Sequence, residues 1–240
     1  MRPLIGTSLK MNFTSTEAAT YFDELRSMVA ALASCELFVL PPFTSIWVAR
    51  ERLAGSNVSW GAQDVHAKDS GAHTGDVSAR MLADLGCSFV EVGHSERRRD
   101  HGETDETVAF KVRQVLRHQM TPIMCVGEPA PGDPGAALDH VLRQARAGMS
   151  LLTDDDTHRV VIAYEPVWAI GEGASAADPD HVGAIHRGLR KLGARVIYGG
   201  SVDPVTAGAI LAQDGVDGLF VGRAALDPKR FAAIAQLTSA

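Results

Sequence analysis

Glu165 closes an apolar run, Val160-Val161-Ile162-Ala163-Tyr164, and is followed by Pro166-Val167-Trp168-Ala169-Ile170-Gly171-Glu172-Gly173. A run this short and apolar reads as a strand buried on both faces, and proline, which lacks a backbone donor, ends it. Glu165 therefore stands at a strand's carboxyl end. Residues 166–176 are too apolar for a solvated loop, since Val167, Trp168 and Ile170 would face water unless the segment folds down as a lid. A carboxylate beneath such a flap is shielded from water and can have its basicity raised.

Three further features could share that chemistry. In Val92-Gly93-His94-Ser95-Glu96-Arg97-Arg98, His94 lies just past a strand, where a helical turn begins. The positive end of a helix disfavours imidazolium, so His94 is expected to be neutral and to donate a hydrogen bond without being a strong acid. Lys10, between Leu9 and Met11, is either a solvated rim charge or a fixed positive partner for an anion. The turns Tyr198-Gly199-Gly200-Ser201-Val202 and Phe220-Val221-Gly222-Arg223-Ala224 expose backbone N–H groups that can cradle an anion. Other candidates read as structural. His66 and His73 lack the spacing of a helical metal pair, residues 97–99 form a solvated or ion-paired helix start, and Cys125 is a small core residue.

These residues need elements to bring them together. Short apolar runs at 4–9, 36–40, 58–62, 89–92, 122–126, 160–164, 195–198 and 218–221 read as strands. Amphipathic segments alternate with them, among them 16–33, 104–118, 178–192, 204–212 and one from 227, with Thr16, Thr104, Asp178, Asp203 and Asp227 as N-caps. Residues 129–135 read as a surface turn. Eight strand–helix alternations in 240 residues fit a single (β/α)₈ barrel over residues 1–240 better than the runner-up, an open doubly wound sheet. The polar residues support the barrel. Lys10, Gln63, His94, Glu96, Glu128, Glu165, Ser201 and Arg223 all follow strands, and a barrel converges those ends on one face.

Composition removes several function classes. A formal charge of -6 without an extended basic cluster argues against nucleic acid or an anionic membrane as main partner. The three cysteines, Cys35, Cys87 and Cys125, are odd in number and widely spaced, so neither a disulfide framework nor a metal spacing is expected, and a reducing compartment is. No run reaches spanning length and Met1-Arg2-Pro3 leads straight into a strand, so a cytoplasmic location without a signal peptide is expected.

The motifs Gly6…Lys10-Met11-Asn12, Gly61-Ala62-Gln63, Gly93-His94-Ser95-Glu96-Arg97-Arg98, Cys125-Val126-Gly127-Glu128, Tyr164-Glu165-Pro166-Val167-Trp168-Ala169-Ile170-Gly171 and Tyr198-Gly199-Gly200-Ser201-Val202 recur in family order across nearly the whole chain. The chain resembles the triosephosphate isomerase family. The resemblance implies that Glu165 is a general base, that His94 is the neutral electrophile, that Lys10 offsets the enediolate charge and that Glu96 supports the site. It also implies a phosphate cradle of backbone N–H groups at Gly171, Ser201, Gly222 and Arg223, with no metal or organic cofactor. A homodimer follows, in which the loop 64–76 places Thr74 near the partner's catalytic lysine and glutamate. Three departures stand out: Ser8 where the family usually has asparagine, Arg223 where it has a second glycine, and Ala174-Ser175-Ala176 at the far lid hinge without the usual lysine. Ser8 and Arg223 as substrate contacts leave two substrates open, a triose phosphate or a four-carbon ketose phosphate as in the erythrulose-phosphate isomerase branch. A non-catalytic sugar-phosphate-binding protein is the reading from another class.

Overall fold

The computed structural model describes residues 1–171, 173 and 176–239. Eight parallel strands close a barrel in sequence order: β1 (Leu4–Ser8), β2 (Glu36–Leu40), β3 (Val58–Ala62), β4 (Phe89–Val92), β5 (Thr121–Val126), β6 (Val161–Tyr164), β7 (Arg195–Tyr198) and β8 (Gly218–Val221). β1 pairs with both β2 and β8, which closes the ring and rules out the open sheet. Among the described residues the α-helices are α1 (Ser15–Val29), α2 (Ile46–Leu53), α3 (Ala79–Asp84), α4 (Ser95–His101), α5 (Asp105–Arg117), α6 (Pro134–Gly148), α7 (Pro179–Arg190), α8 (Ala207–Leu211) and α9 (Pro228–Gln236).

Side chains alternate across each strand, so the barrel has two cores. Leu4, Phe38, Leu40, Ile123, Cys125, Val161, Ala163, Ile197 and Phe220 pack inside with Phe89. The opposite faces of the strands pack against the helices with Val39, Val90, Val92, Met124, Ile162 and Val196. Phe38 stacks on Phe89 at 4.6 Å and on Phe220 at 5.7 Å between ring centroids, and its ring fills the space a side chain at Gly6 would need. Gly6 is thus a packing requirement of the interior.

Two helix starts differ from the sequence expectation. Thr14, not Thr16, caps α1: its hydroxyl accepts the Glu17 N–H while the Glu17 carboxylate accepts the Thr14 N–H, and the helix stops at Val29. Such reciprocal bonds satisfy two otherwise orphaned donors, which a cap two residues further on would leave open. After β7, the Asp203 Oδ1 takes the N–H groups of Val205 and Thr206, so 203–206 form a side-chain-closed turn and α8 begins only at Ala207. Asp178, Thr104 and Asp227 cap α7, α5 and α9 as expected. The turn expected at 129–135 ends earlier, because Asp133 caps α6 with Pro134 in its first turn.

Candidate active site

A cavity of about 460 Å³ opens at the carboxyl ends of the strands, lined among others by Ser8, Lys10, Glu91, His94, Glu96 and Glu165. The expected residues converge there from β1, β4 and β6 and the loops that follow them.

Lys10 leaves β1 with φ 51°, a left-handed conformation unusual for a side chain of this size. Gln63 holds it, donating from Nε2 to the carbonyls of Lys10 at 3.1 Å and Leu40 at 2.9 Å. The ammonium meets Glu96 Oε1 at 2.7 Å, at the cavity wall. Burial works to raise the Glu96 carboxyl, but the Lys10 hydrogen bond and charge outweigh it and hold it below the usual range. Glu96 therefore stays anionic and anchors Lys10.

His94 is the N-cap of α4, and its Nδ1 accepts the Glu96 backbone N–H at 3.1 Å. That bond leaves the neutral ring's proton on Nε2, which faces Glu165 Oε2 at 3.5 Å. Burial, then the Lys10 charge, pushes the His94 pKa down to about 4 against the opposing pull of Glu96. Gly93 sets this geometry at φ 73°: its N–H donates to Glu103 and its carbonyl accepts from Arg98 Nε at 2.7 Å. The 97–99 run is ion-paired, Arg97 with Asp64, Arg98 with Asp105 and Arg99 with Asp100.

Glu165 is 4 % exposed, and its Oε2 has no hydrogen-bond partner among the described residues. Burial, followed by the negative charge of Glu91, raises its carboxyl well above the usual range, with Lys10 opposing. Two glycines make room for it. A side chain at Gly199 would place Cβ 2.6 Å from Glu165 Cγ, and one at Gly127 would collide with the Glu165 carbonyl.

The lid begins as a 3₁₀ turn, Val167–Ala169. Trp168 Nε1 donates to Glu128 Oε1 at 2.8 Å, and Tyr164 donates to the same oxygen at 3.0 Å. At the far side the Ala177 N–H donates to the Tyr198 hydroxyl at 3.0 Å. Glu172, Ala174 and Ser175 lie outside the described residues, including most of the hinge 174–176 singled out from the sequence. Gly171, at φ 107°, lines the cavity. Ser201 donates both its N–H and its hydroxyl to the Ala169 carbonyl, each at 2.9 Å, tying the β7 turn to the lid. Gly222 and Arg223 line the same end, and nothing lies within 4 Å of where a Gly222 side chain would begin. Thr74 is not among the residues lining the cavity and is exposed at a tip flanked by Gly71 at φ 136° and Gly75 at φ 91°.

Two cavity residues were not singled out from the sequence. Arg230 of α9 adds a second guanidinium beside Arg223 at the glycine-rich end; its only signal was a cation in the last helix. Glu91 lies inside β4 and accepts from the Ser8 hydroxyl at 2.8 Å, which commits that proton within the protein. Its signal was a carboxylate within an otherwise apolar strand. His66 and His73, dismissed on spacing, do come together, with ring centroids 4.1 Å apart beside Asp76. His66 Nδ1 accepts the Lys68 N–H, however, so the nitrogen facing Asp76 carries the ring proton and is a poor metal donor.

This arrangement pairs a buried carboxylate, whose Oε2 has no hydrogen-bond partner among the described residues, with a neutral imidazole N–H across 3.5 Å, next to a fixed ammonium and glycine-rich turns. It can move a proton between adjacent carbons while polarising an oxygen. The family model described as triosephosphate isomerase matches residues 3–238. A triosephosphate isomerase of Thermus thermophilus is 44% identical, covering 98% of each chain, and one of Moorella thermoacetica is 45% identical, covering 97% of each. The crystal structure of triosephosphate isomerase from Bartonella henselae superposes with a TM-score of 0.87 at 30% identity, over 100% of both chains.

Proposed function

The chain belongs to the triosephosphate isomerase family and is an aldose–ketose isomerase, and on that premise we propose that Glu165, His94 and Lys10 divide the chemistry of interconverting glyceraldehyde 3-phosphate and dihydroxyacetone phosphate. The three-carbon reading is the one the relatives support, over the four-carbon ketose phosphate and the non-catalytic binder.

Glu165 takes a proton from the carbon next to the carbonyl, and its raised basicity makes that transfer less uphill. His94 donates its Nε2–H to the oxygen on which negative charge develops, and Lys10 offsets that charge. Glu165 then returns the proton to the neighbouring carbon. Triosephosphate isomerase is itself the standard illustration of a carboxylate base, a neutral histidine and a closing loop. Supporting the assignment here is one observation above others: Glu165 Oε2 is buried, without a hydrogen-bond partner among the described residues, and 3.5 Å from the His94 nitrogen that carries a proton. Gly171, Ser201, Gly222 and Arg223, joined by Arg230, hold the phosphate, and the lid 166–176 excludes water so that the enediolate does not expel phosphate. Glu96 is a positioning residue, acting through Lys10.

The functional form is a homodimer in the cytoplasm. Besides the exposed Thr74 tip, Met11 is 98 % exposed, Trp47 52 % and Met81 55 %, on three successive βα units of the rim. Arg50 ties two of these together, bonding from α2 to the Asp84 carbonyl of α3. No helix among the described residues is long and apolar enough to cross a membrane.

The test is Glu165→Asp. The shorter carboxylate should lower kcat by at least ~100-fold with little change in KM, since misplacing a reacting atom by about 1 Å costs that much. Unchanged turnover of glyceraldehyde 3-phosphate would remove Glu165 from the role.

A further inference from the structure

Glu91 is a second carboxylate beside the base. It is 2 % exposed, and with Phe89 it projects from β4 into the barrel, because Val90 and Val92 take the outward positions. Its Oε2 accepts from Ser8 at 2.8 Å, and its Oε1 lies 3.8 Å from the Cys125 thiol. One carboxylate oxygen each of Glu91 and Glu165 and a ring nitrogen of His94 lie within 4.8 Å of one another. Among the described residues neither carboxylate has an ion pair with a lysine or arginine.

Among the described residues, the charged and titratable neighbours of the pair come from several elements, and Arg223 and Arg230 line the far end of the same cavity. The β1 loop contributes Lys10, already bonded to Glu96; α4 contributes Glu96 and, further out, Arg99; the β3 loop contributes Asp64; the turn after β4 contributes neutral His94; β5 contributes Cys125, with Arg98 behind it. Lys10 is thus the near cation for three carboxylates. Two buried negative charges this close repel strongly, and such a pair retains a proton well above the range where a solvated carboxyl loses it.

We propose that Glu91 and Glu165 hold one proton between them, and that Glu91 is a positioning residue that sets the strength of the catalytic base. This rests on the assignment of Glu165 as that base. With the proton on Glu91, Glu165 is anionic and ready, while Ser8 keeps Glu91 in place; with the proton on Glu165, the site is idle. Burial pushes Glu91 up to about 7, against the Ser8 hydrogen bond and Lys10, in keeping with this sharing.

The test compares kcat/KM against pH for the wild type, Glu91→Gln and Glu91→Leu. At high pH Glu165 is ionised in both enzymes; as pH falls into the range where the pair holds one proton, part of the wild type goes idle with that proton on Glu165 while the variant's Glu165 stays ionised, so the ratio of variant to wild-type kcat/KM should climb. The substrate's own phosphate ionisation cancels in that ratio. Equal sharing of the proton gives about a twofold climb, and a tenfold preference of the proton for Glu165 gives about a tenfold one. Glutamine still accepts from Ser8 and leucine does not, so a climb shared by both reports the charge and not the packing. A ratio flat with pH in either folded variant overturns the proposal. Glu165→Gln is measured alongside: if it is inactive while the ratio is flat, the base assignment stands and the shared proton does not; if it turns over, the base assignment itself fails. Should neither Glu91 variant fold, infrared spectroscopy of the wild type at neutral pH decides, since the proposal requires the carbonyl stretch of a buried protonated carboxylic acid and its absence rules it out.

Discussion

Single atoms decide how the Glu165 carboxylate is held. Gly199 reads from the sequence as part of an anion-binding turn, yet its clearest duty is steric, because a methyl group there would press on Glu165 Cγ at 2.6 Å and Oε1 at 2.7 Å. Gly199→Ala is therefore expected to push the carboxylate aside and lower kcat by ~10–100-fold with a smaller change in KM, as steady-state kinetics would show. A normal kcat would mean that the backbone yields at no cost to the base. Glu165, His94 and Lys10 were legible because each follows a strand, and a strand's end in a barrel is a fixed place. Glu91 was not, because a strand buried on both faces carries no alternation to say which side chains point inward.

At the scale of elements, the lid is fastened by residues of other elements. Glu128, after β5, receives both Trp168 and Tyr164, while Tyr198 on β7 receives the far end at Ala177. Trp168→Phe keeps the ring and removes one donor, a loss of about 1.5–3 kcal/mol for a bond to a charged acceptor. The expected outcome is a several-fold fall in kcat/KM and a larger share of turnovers lost to phosphate elimination, read from the product ratio. An unchanged ratio would show that this bond does not govern the lid. The sequence places a lid here from composition alone. Its anchors were hidden, since Glu128 lies 40 residues from Trp168 and only the β5–β6 pairing brings them together.

Across the whole molecule, closure of the sheet gathers eight loops on one rim, and the rim of the first three units carries the exposed apolar groups of the proposed dimer. The loop that starts this surface is rooted in a buried network in which Lys111 of α5 binds Asp64 at 2.6 Å and also Glu103, while Arg97 binds Asp64 at 2.8 Å. Through Arg97, loop 64–76 is held from the same helix that carries Glu96, so the proposed dimer contact and the candidate active site share a support. Thr74→Arg puts a charge and extra bulk at the tip. It is expected to yield monomers by analytical ultracentrifugation and to lower kcat/KM by ~100-fold or more if Lys10 and Glu96 depend on the partner. A dimeric, fully active variant would remove the tip from the interface.

The sequence by itself determined the number and order of the strands, the (β/α)₈ class and the place of Glu165, His94 and Lys10 at one end of the barrel, because short apolar runs, proline stops and polar residues just past them are local signals. It missed the caps of α1 and the start of α8, where side chains of Thr14 and Asp203 chose among closely spaced turn geometries. What the tertiary structure alone decided is the electrostatics of the site. Closing the barrel turned Glu91 inward beneath Glu165, committed Ser8 to Glu91, and left Lys10 as the near cation among three carboxylates. Charges separated by tens of residues interact only when packing removes the water between them, and no stretch of sequence carries that information.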